Sequence, residues 1–150
     1  MASTVTAATA TVQITESLTL ANVDRGGSHT RTITNVAEAD RRVMTVASSG
    51  ETDLVELDTA NGQGKFVRAS IRYIRITNLD DTNFIRVRFK KSGAETADVK
   101  VSAGATFMFS TGSMDVDATA SAFSAFVDID NISAQADTAD VDVEFVVFAV

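Results

Sequence analysis

From residue 8 to residue 20, apolar and polar side chains alternate so regularly that one backbone geometry is strongly favoured. The even positions read Ala8, Ala10, Val12, Ile14, Glu16, Leu18 and Leu20, and the odd ones Thr9, Thr11, Gln13, Thr15, Ser17 and Thr19. In an extended chain, successive side chains point to opposite sides of a sheet, whereas a helix needs recurrence at three and four residues. The stretch therefore reads as a strand with one buried and one wet face. Glu16 interrupts the apolar row and marks a bend or a strand end. The same period of two runs through most of the chain, and helical periodicity is nearly missing.

Turn chemistry cuts this pattern into short strands. The cluster from Asn22 to Gly27 is a turn, followed by a thin, Thr-rich strand at 28–36. Residues 36–42 are polar enough for a loop or one helical turn, with strands expected at 43–47 and 52–58. Asn61-Gly62-Gln63-Gly64 is the strongest loop signal. A hairpin is expected from Phe66 to Lys91, with strands at 66–77 and 84–91 joined through Asn78 to Asn83. In its second strand Ile85, Val87 and Phe89 share one face, and Arg86, Arg88 and Lys90 the other. In its first strand the apolar row changes phase between Tyr73 and Ile74, which predicts a β-bulge or burial on both faces. Further strands are expected at 96–101, around Phe107-Met108-Phe109, near 123–133 and at 141–149, with a loose stretch over 111–121. Eight to ten short strands with regular turn signals predict an all-β chain, a single-domain antiparallel β-sandwich or jelly roll over residues 1–150. At 150 residues without cysteine, such a domain buries roughly 68–70% of its unfolded surface and needs no disulfide.

Charge is distributed in blocks. Residues 1–64 carry eight acids and four bases (−4), residues 65–100 nine bases and four acids (+5), and residues 101–150 eight acids and no base (−8), which sum to −7. Such blocks suit positive and negative surfaces that meet, either within one subunit or between copies, and equally suit solvated faces. The first residues lack the basic and apolar regions of a signal peptide, and no apolar run approaches the ~20 residues that span a bilayer. The expectation is a chain made in a cytoplasm, with no membrane partner.

Signals for chemistry are sparse. His29 is the one histidine, and no serine lies in a nucleophile-elbow pattern for it to serve, so no catalytic residue is assigned and the chain is not expected to be an enzyme. Gly62-Gln63-Gly64 lacks the third glycine and following helix of a phosphate loop. Asp80, Asp81 and Asn83 at the expected hairpin tip are weak Ca²⁺ candidates, as are the pairs Asp115/Asp117, Asp128/Asp130 and Asp140/Asp142. Asp and Asn also favour turns for their own backbone hydrogen bonds, so no metal and no cofactor is assigned. Arg68, Arg72, Arg75, Arg86, Arg88 and Lys90 can form a basic sheet face. Net charge −7 and the lack of exposed aromatics argue against nucleic-acid readout, and the expected use of that face is contact with an acidic partner surface. In the last strand Val146, Phe148 and Val150 are apolar on the side opposite Val141, Val143, Phe145 and Val147. That strand is either central in its sheet or covered by another subunit.

The stretch from Arg72 to Ile85, the opening MASTVTAATATVQITESLTL, and Asn131 to Ala136 with Val141 to Glu144 resemble small all-β virion structural proteins of marine tailed bacteriophages. The resemblance spans most of the chain and rests on strand-and-turn patterns. It implies a particle component at the capsid surface, a decoration (cement) protein, or a tail-associated, fibre-connector protein. The implied partners are further copies of the chain and the major capsid protein or another virion protein. A trimer is the preferred oligomer, by analogy with threefold capsid positions. Val146, Phe148 and Val150 are the expected self-contacts, with Arg86 and Arg88 facing acidic surfaces. A Ca²⁺-dependent ligand-binding sandwich is the third reading.

Overall fold

The structure is a computed structural model that describes residues 5–60, 62, 64–91, 96–111, 115–116 and 127–150. Regular structure among them is extended apart from one short 3-10 turn, Arg68–Ser70, and no helix is long and apolar enough to cross a membrane. The chain divides into two compact units, one running to Glu38 and including Val150, the other spanning Ala39–Ala149.

The first unit is a ribbon. It contains β1 (Ala8–Glu16), β2 (Thr19–Leu20), β3 (Val23–Asp24) and β4 (Gly27–Val36). β1 pairs antiparallel with β4, from Ala8 opposite Val36 to Glu16 opposite Gly27. The register slips by one between Ala8 and Ala10, where Asn35 takes φ 60°. Asn is among the few side chains that accept that left-handed conformation, which suits a bulge. The alternating stretch at 8–20 is thus two strands, broken right after Glu16. β2 and β3 close on a two-residue turn in which Ala21 and Asn22 both have positive φ, the conformation that matches strand twist in tight hairpins. Gly26 is obligatory here, because a Cβ would lie 2.5 Å from the Glu16 carbonyl oxygen. The apolar row is less covered than its pattern predicts: Ala10, Val12 and Ile14 are half-buried, while Leu18 and Leu20 are exposed.

The second unit is a sandwich. Its strands are β5 (Glu38–Val46, whose first residue belongs to the ribbon unit), β6 (Thr52–Asp58), β7 (Lys65–Val67), β8 (Ile71–Asn78), β9 (Ile85–Lys90), β10 (Thr96–Val101), β11 (Thr106–Phe109), β12 (Asp115–Val116), β13 (Val127–Asp128), β14 (Asn131–Ala136) and β15 (Val141–Ala149). A five-stranded sheet has the order β10-β9-β14-β6-β7, and a four-stranded sheet the order β11-β8-β15-β5. β6 and β7 run parallel, so the architecture is mixed and not purely antiparallel. One continuous core joins the sheets: Leu54, Val55, Leu57, Ile85, Val87, Phe89, Ile132 and Ala134 from the first, and Val46, Ile74, Ile76, Val143, Phe145 and Val147 from the second. Every buried member of that core lies between Val46 and Ala149.

Two expectations change and a third holds. The hairpin at 66–91 is absent: β8 pairs with β11 and β15, and β9 with β10 and β14. The 79–84 connection instead carries the chain from one sheet to the other, because both apolar rows belong on inner faces. Residues 38–42 extend β5 in place of a loop or helical turn, their polar side chains lying on the last strand of the four-stranded sheet. The phase change in β8 is borne out: Tyr73 and Ile74 are both buried, on opposite faces. A bulge lies just before them, where Phe148 faces Tyr73 and Ala149 faces Ile71 with Arg72 as the extra residue. The expected loose stretch at 111–121 and the start of the strand at 123 lie mostly outside the described residues.

Candidate functional site

Strand alternation places Arg86, Arg88 and Lys90 on the outer side of the five-stranded sheet, in half-buried positions between fully buried Ile85, Val87 and Phe89. The register sets Arg88 opposite Asp98 on one side and Ser133 on the other. Arg88 Nε and Nη2 both donate at 2.7 Å to the two oxygens of Asp98, a planar two-point match of guanidinium to carboxylate. Glu51, just before β6, reaches over the same face. It accepts from Arg86 Nη2 at 3.1 Å, Arg88 Nη1 at 2.8 Å and Ser133 Oγ at 3.3 Å, and it pairs with Lys90. Gln135 Oε1 takes a further bond from Arg86 at 2.8 Å.

Three cations thus meet two carboxylates. The Lys90 ammonium, followed by Arg88, holds the Glu51 carboxyl below its ordinary range, and the Arg88 guanidinium does the same to Asp98. Arg88 is in turn held protonated more firmly by Asp98. Arg86 Nε is buried without a hydrogen-bond partner, 4.0 Å from Asp98. The charge blocks of the sequence therefore meet inside one chain, since Glu51 comes from the first block and Arg86, Arg88 and Asp98 from the second.

The same holds elsewhere. Arg68 donates to the Ile129 carbonyl at 2.7 Å and to Asp128 at 2.9 Å, and pairs with Asp130. Glu144 bridges Arg41 and Arg75, and those two guanidinia draw its carboxyl below the usual range, Arg41 foremost. The six basic residues expected on one hairpin face are divided: Arg86, Arg88 and Lys90 lie on one sheet, Arg72 and Arg75 on β8 of the other, and Arg68 in the 3-10 turn. A single basic face for nucleic acid is not formed by them.

Asp80, Asp81 and Asn83 do sit together, and one side-chain oxygen of each already accepts hydrogen bonds from the protein. Asp80 Oδ1 accepts from the backbone N–H of Thr82 at 2.7 Å and from that of Asn83, and these bonds hold its carboxyl low, the Asn83 bond foremost. Asp81 takes the Thr82 hydroxyl at 2.9 Å, and Asn83 Oδ1 takes that of Thr138 at 2.6 Å. Asp140 is bonded by the backbone and hydroxyl of Ser48, and Asp142 by Thr45. Among the described residues no group of three or more His, Cys, Asp or Glu side chains is placed to hold a metal ion. Asp117 lies outside them. His29 is exposed on β4, opposite Ile14.

The last strand is central, between β8 and β5. Val146 retains 5% exposure, Phe148 stacks on Tyr73 with ring centroids 5.3 Å apart, and Val150 is half-buried. Apolar surface open to solvent concentrates elsewhere: on the ribbon at Val5, Leu18, Leu20 and Val23, and on the sandwich at Val43, Leu79 and Met108. Sequence reading missed the ribbon as a separate unit. The signal was present in Leu18 and Leu20, which continue the apolar row past Glu16 into a turn too tight to bury them. No family model matches the chain, and neither curated proteins nor solved structures provide a match to it.

Proposed function

We propose that the protein is a bacteriophage virion structural protein, a capsid decoration protein that binds the assembled head as a symmetric oligomer. The observation that carries this reading is the two-stranded ribbon, nine residues against ten, with most of its surface exposed. A two-stranded ribbon by itself is at best marginally stable in water. Ile33 and Val36 on β4 are buried, but Leu18 and Leu20 are exposed and Ala10, Val12 and Ile14 only half-buried, and these residues with the ribbon's edges call for a second protein surface. Decoration proteins do that work: they lie across neighbouring subunits and tie them together. The sandwich supplies the rigid body, with its carboxylates and guanidinia engaged on one another, and the resemblance to virion proteins of marine tailed phages points the same way.

The test is to mix purified protein with undecorated heads and measure bound copies. Saturable binding at a fixed number per major capsid subunit, together with a raised temperature of head disruption, is the expected result. Heads that bind none while isolated tails do would move the protein to the tail-associated role. Binding to neither would remove the virion reading altogether.

A further inference from the structure

We propose that β1 is an assembly edge, which pairs antiparallel with β1 of a second copy of this chain about a two-fold axis at Val12. In the ribbon sheet β1 has one hydrogen-bonded neighbour among the described residues, β4, so its other side offers a row of backbone donors and acceptors. Such edges recruit other strands unless they are short, charged, bulged or interrupted by proline. The outermost strands of the sandwich are defended in these ways. β10 carries Asp98 and Lys100, β7 carries Lys65, β5 carries Asp40, Arg41 and Arg42, and β11 is four residues long. On the ribbon's other side β4 carries Arg31 and the bulge at Asn35. β1 has none of these defences from Thr9 to Thr15, a stretch that contains no charge, no glycine and no proline.

The partner follows from the order of side chains. Antiparallel pairing centred on Val12 sets Val12 against Val12, Ala10 against Ile14, Thr11 against Gln13 and Thr9 against Thr15. Apolar residues meet apolar ones on one face, and hydroxyl or amide groups meet on the other, where Thr9, Thr11, Gln13 and Thr15 are exposed. The strand's one charge, Glu16, falls opposite Ala8, so no like charges face each other. The product is a four-stranded sheet in which the two β1 strands are central and the two β4 strands outermost, past the size at which ribbons become independently stable. Because the contact is two-fold, it closes with a pair and does not run on into a filament. It needs only the ribbon, and it stands apart from any place in a virion.

The experiment uses the full chain. It has no cysteine, so Val12→Cys and Ile14→Cys each introduce a single thiol. Under mild oxidation Val12→Cys is expected to give a disulfide-linked dimer, because directly opposed Cβ atoms lie ~4.5–5.5 Å apart. Ile14→Cys is expected to remain unlinked, its two copies being about 13 Å apart at ~3.3 Å per residue. Sedimentation of Thr11→Lys/Gln13→Lys, which sets lysine against lysine, should give a lower mass than the parent, and Thr11→Lys/Gln13→Glu should restore it. Equal linking of both cysteine variants, linking of neither, or a mass that ignores the charge variants overturns the proposal. An oligomer unaffected by these changes that still coats heads leaves the decoration role standing, whereas linked dimers that bind no head leave the edge contact standing alone.

Discussion

Glu51 shows how much one side chain can organise in a sheet otherwise built from repetition. A row of three cations on one strand face is repulsive by itself, and the carboxylate above it makes the row stable. With a side chain 25% exposed and three cationic partners, the group is screened but not bulk-solvated, so its loss is expected to cost about 1–2 kcal/mol. The pH dependence follows from the direction of its shift. The folded-state pKa of Glu51 lies below its ordinary 4.5, with the Lys90 hydrogen bond as the leading cause. Its stabilisation is therefore complete above that ordinary value and is lost as pH falls through the lower, folded one. Asp98 acts in the same sense, through Arg88. Denaturant titrations across acid pH should show a steep loss of stability that Glu51→Gln makes shallower, with the variant less stable at neutral pH. A parallel acid limb in the variant would show that Glu51 is not what holds the row.

The corner between β8 and β9 decides how the elements connect. Asn78 is fully buried there and satisfies three backbone groups. Its amide donates to the Asn83 carbonyl at 2.8 Å and the Val101 carbonyl at 3.3 Å, and its side-chain carbonyl accepts the Asp80 N–H at 3.0 Å. Neighbouring backbone completes the joint, with Leu79 N–H on the Asp142 carbonyl and Gly104 N–H on that of Asp80. Replacing Asn78 by Leu leaves those buried groups unmet, and a loss of about 2–4 kcal/mol in urea unfolding is expected. Asn78 to Asn83 read as the tip of a hairpin because Asn and Asp favour turns in either setting. Local chemistry announces that the chain turns. It does not say whether the next strand lies beside the last one or across from it.

As a whole molecule the protein carries a sandwich with its own core and a ribbon, and the core is built from residues of the sandwich unit. Residues 39–150 alone are accordingly expected to keep a cooperative thermal transition and β-type circular dichroism, while losing the association that the ribbon provides. A truncated chain that is molten would show instead that the ribbon completes the fold.

Alternation by itself determined the all-β class, most strand positions and the inner faces: β6, β10 and β15 lie at 52–58, 96–101 and 141–149, as the pattern predicts. It could do so because side-chain direction in a strand is a local property, set by the pleat. Three features came only from the folded chain. They are which strands pair, the parallel contact of β6 with β7, and the meeting of Glu51 and Asp98 with the β9 cations. Each depends on groups far apart in sequence, brought together when the apolar rows of both sheets are buried against each other. Solvent exposure of Leu18 and Leu20 is of the same kind, since a row of alternating apolar residues looks alike whether or not anything covers it.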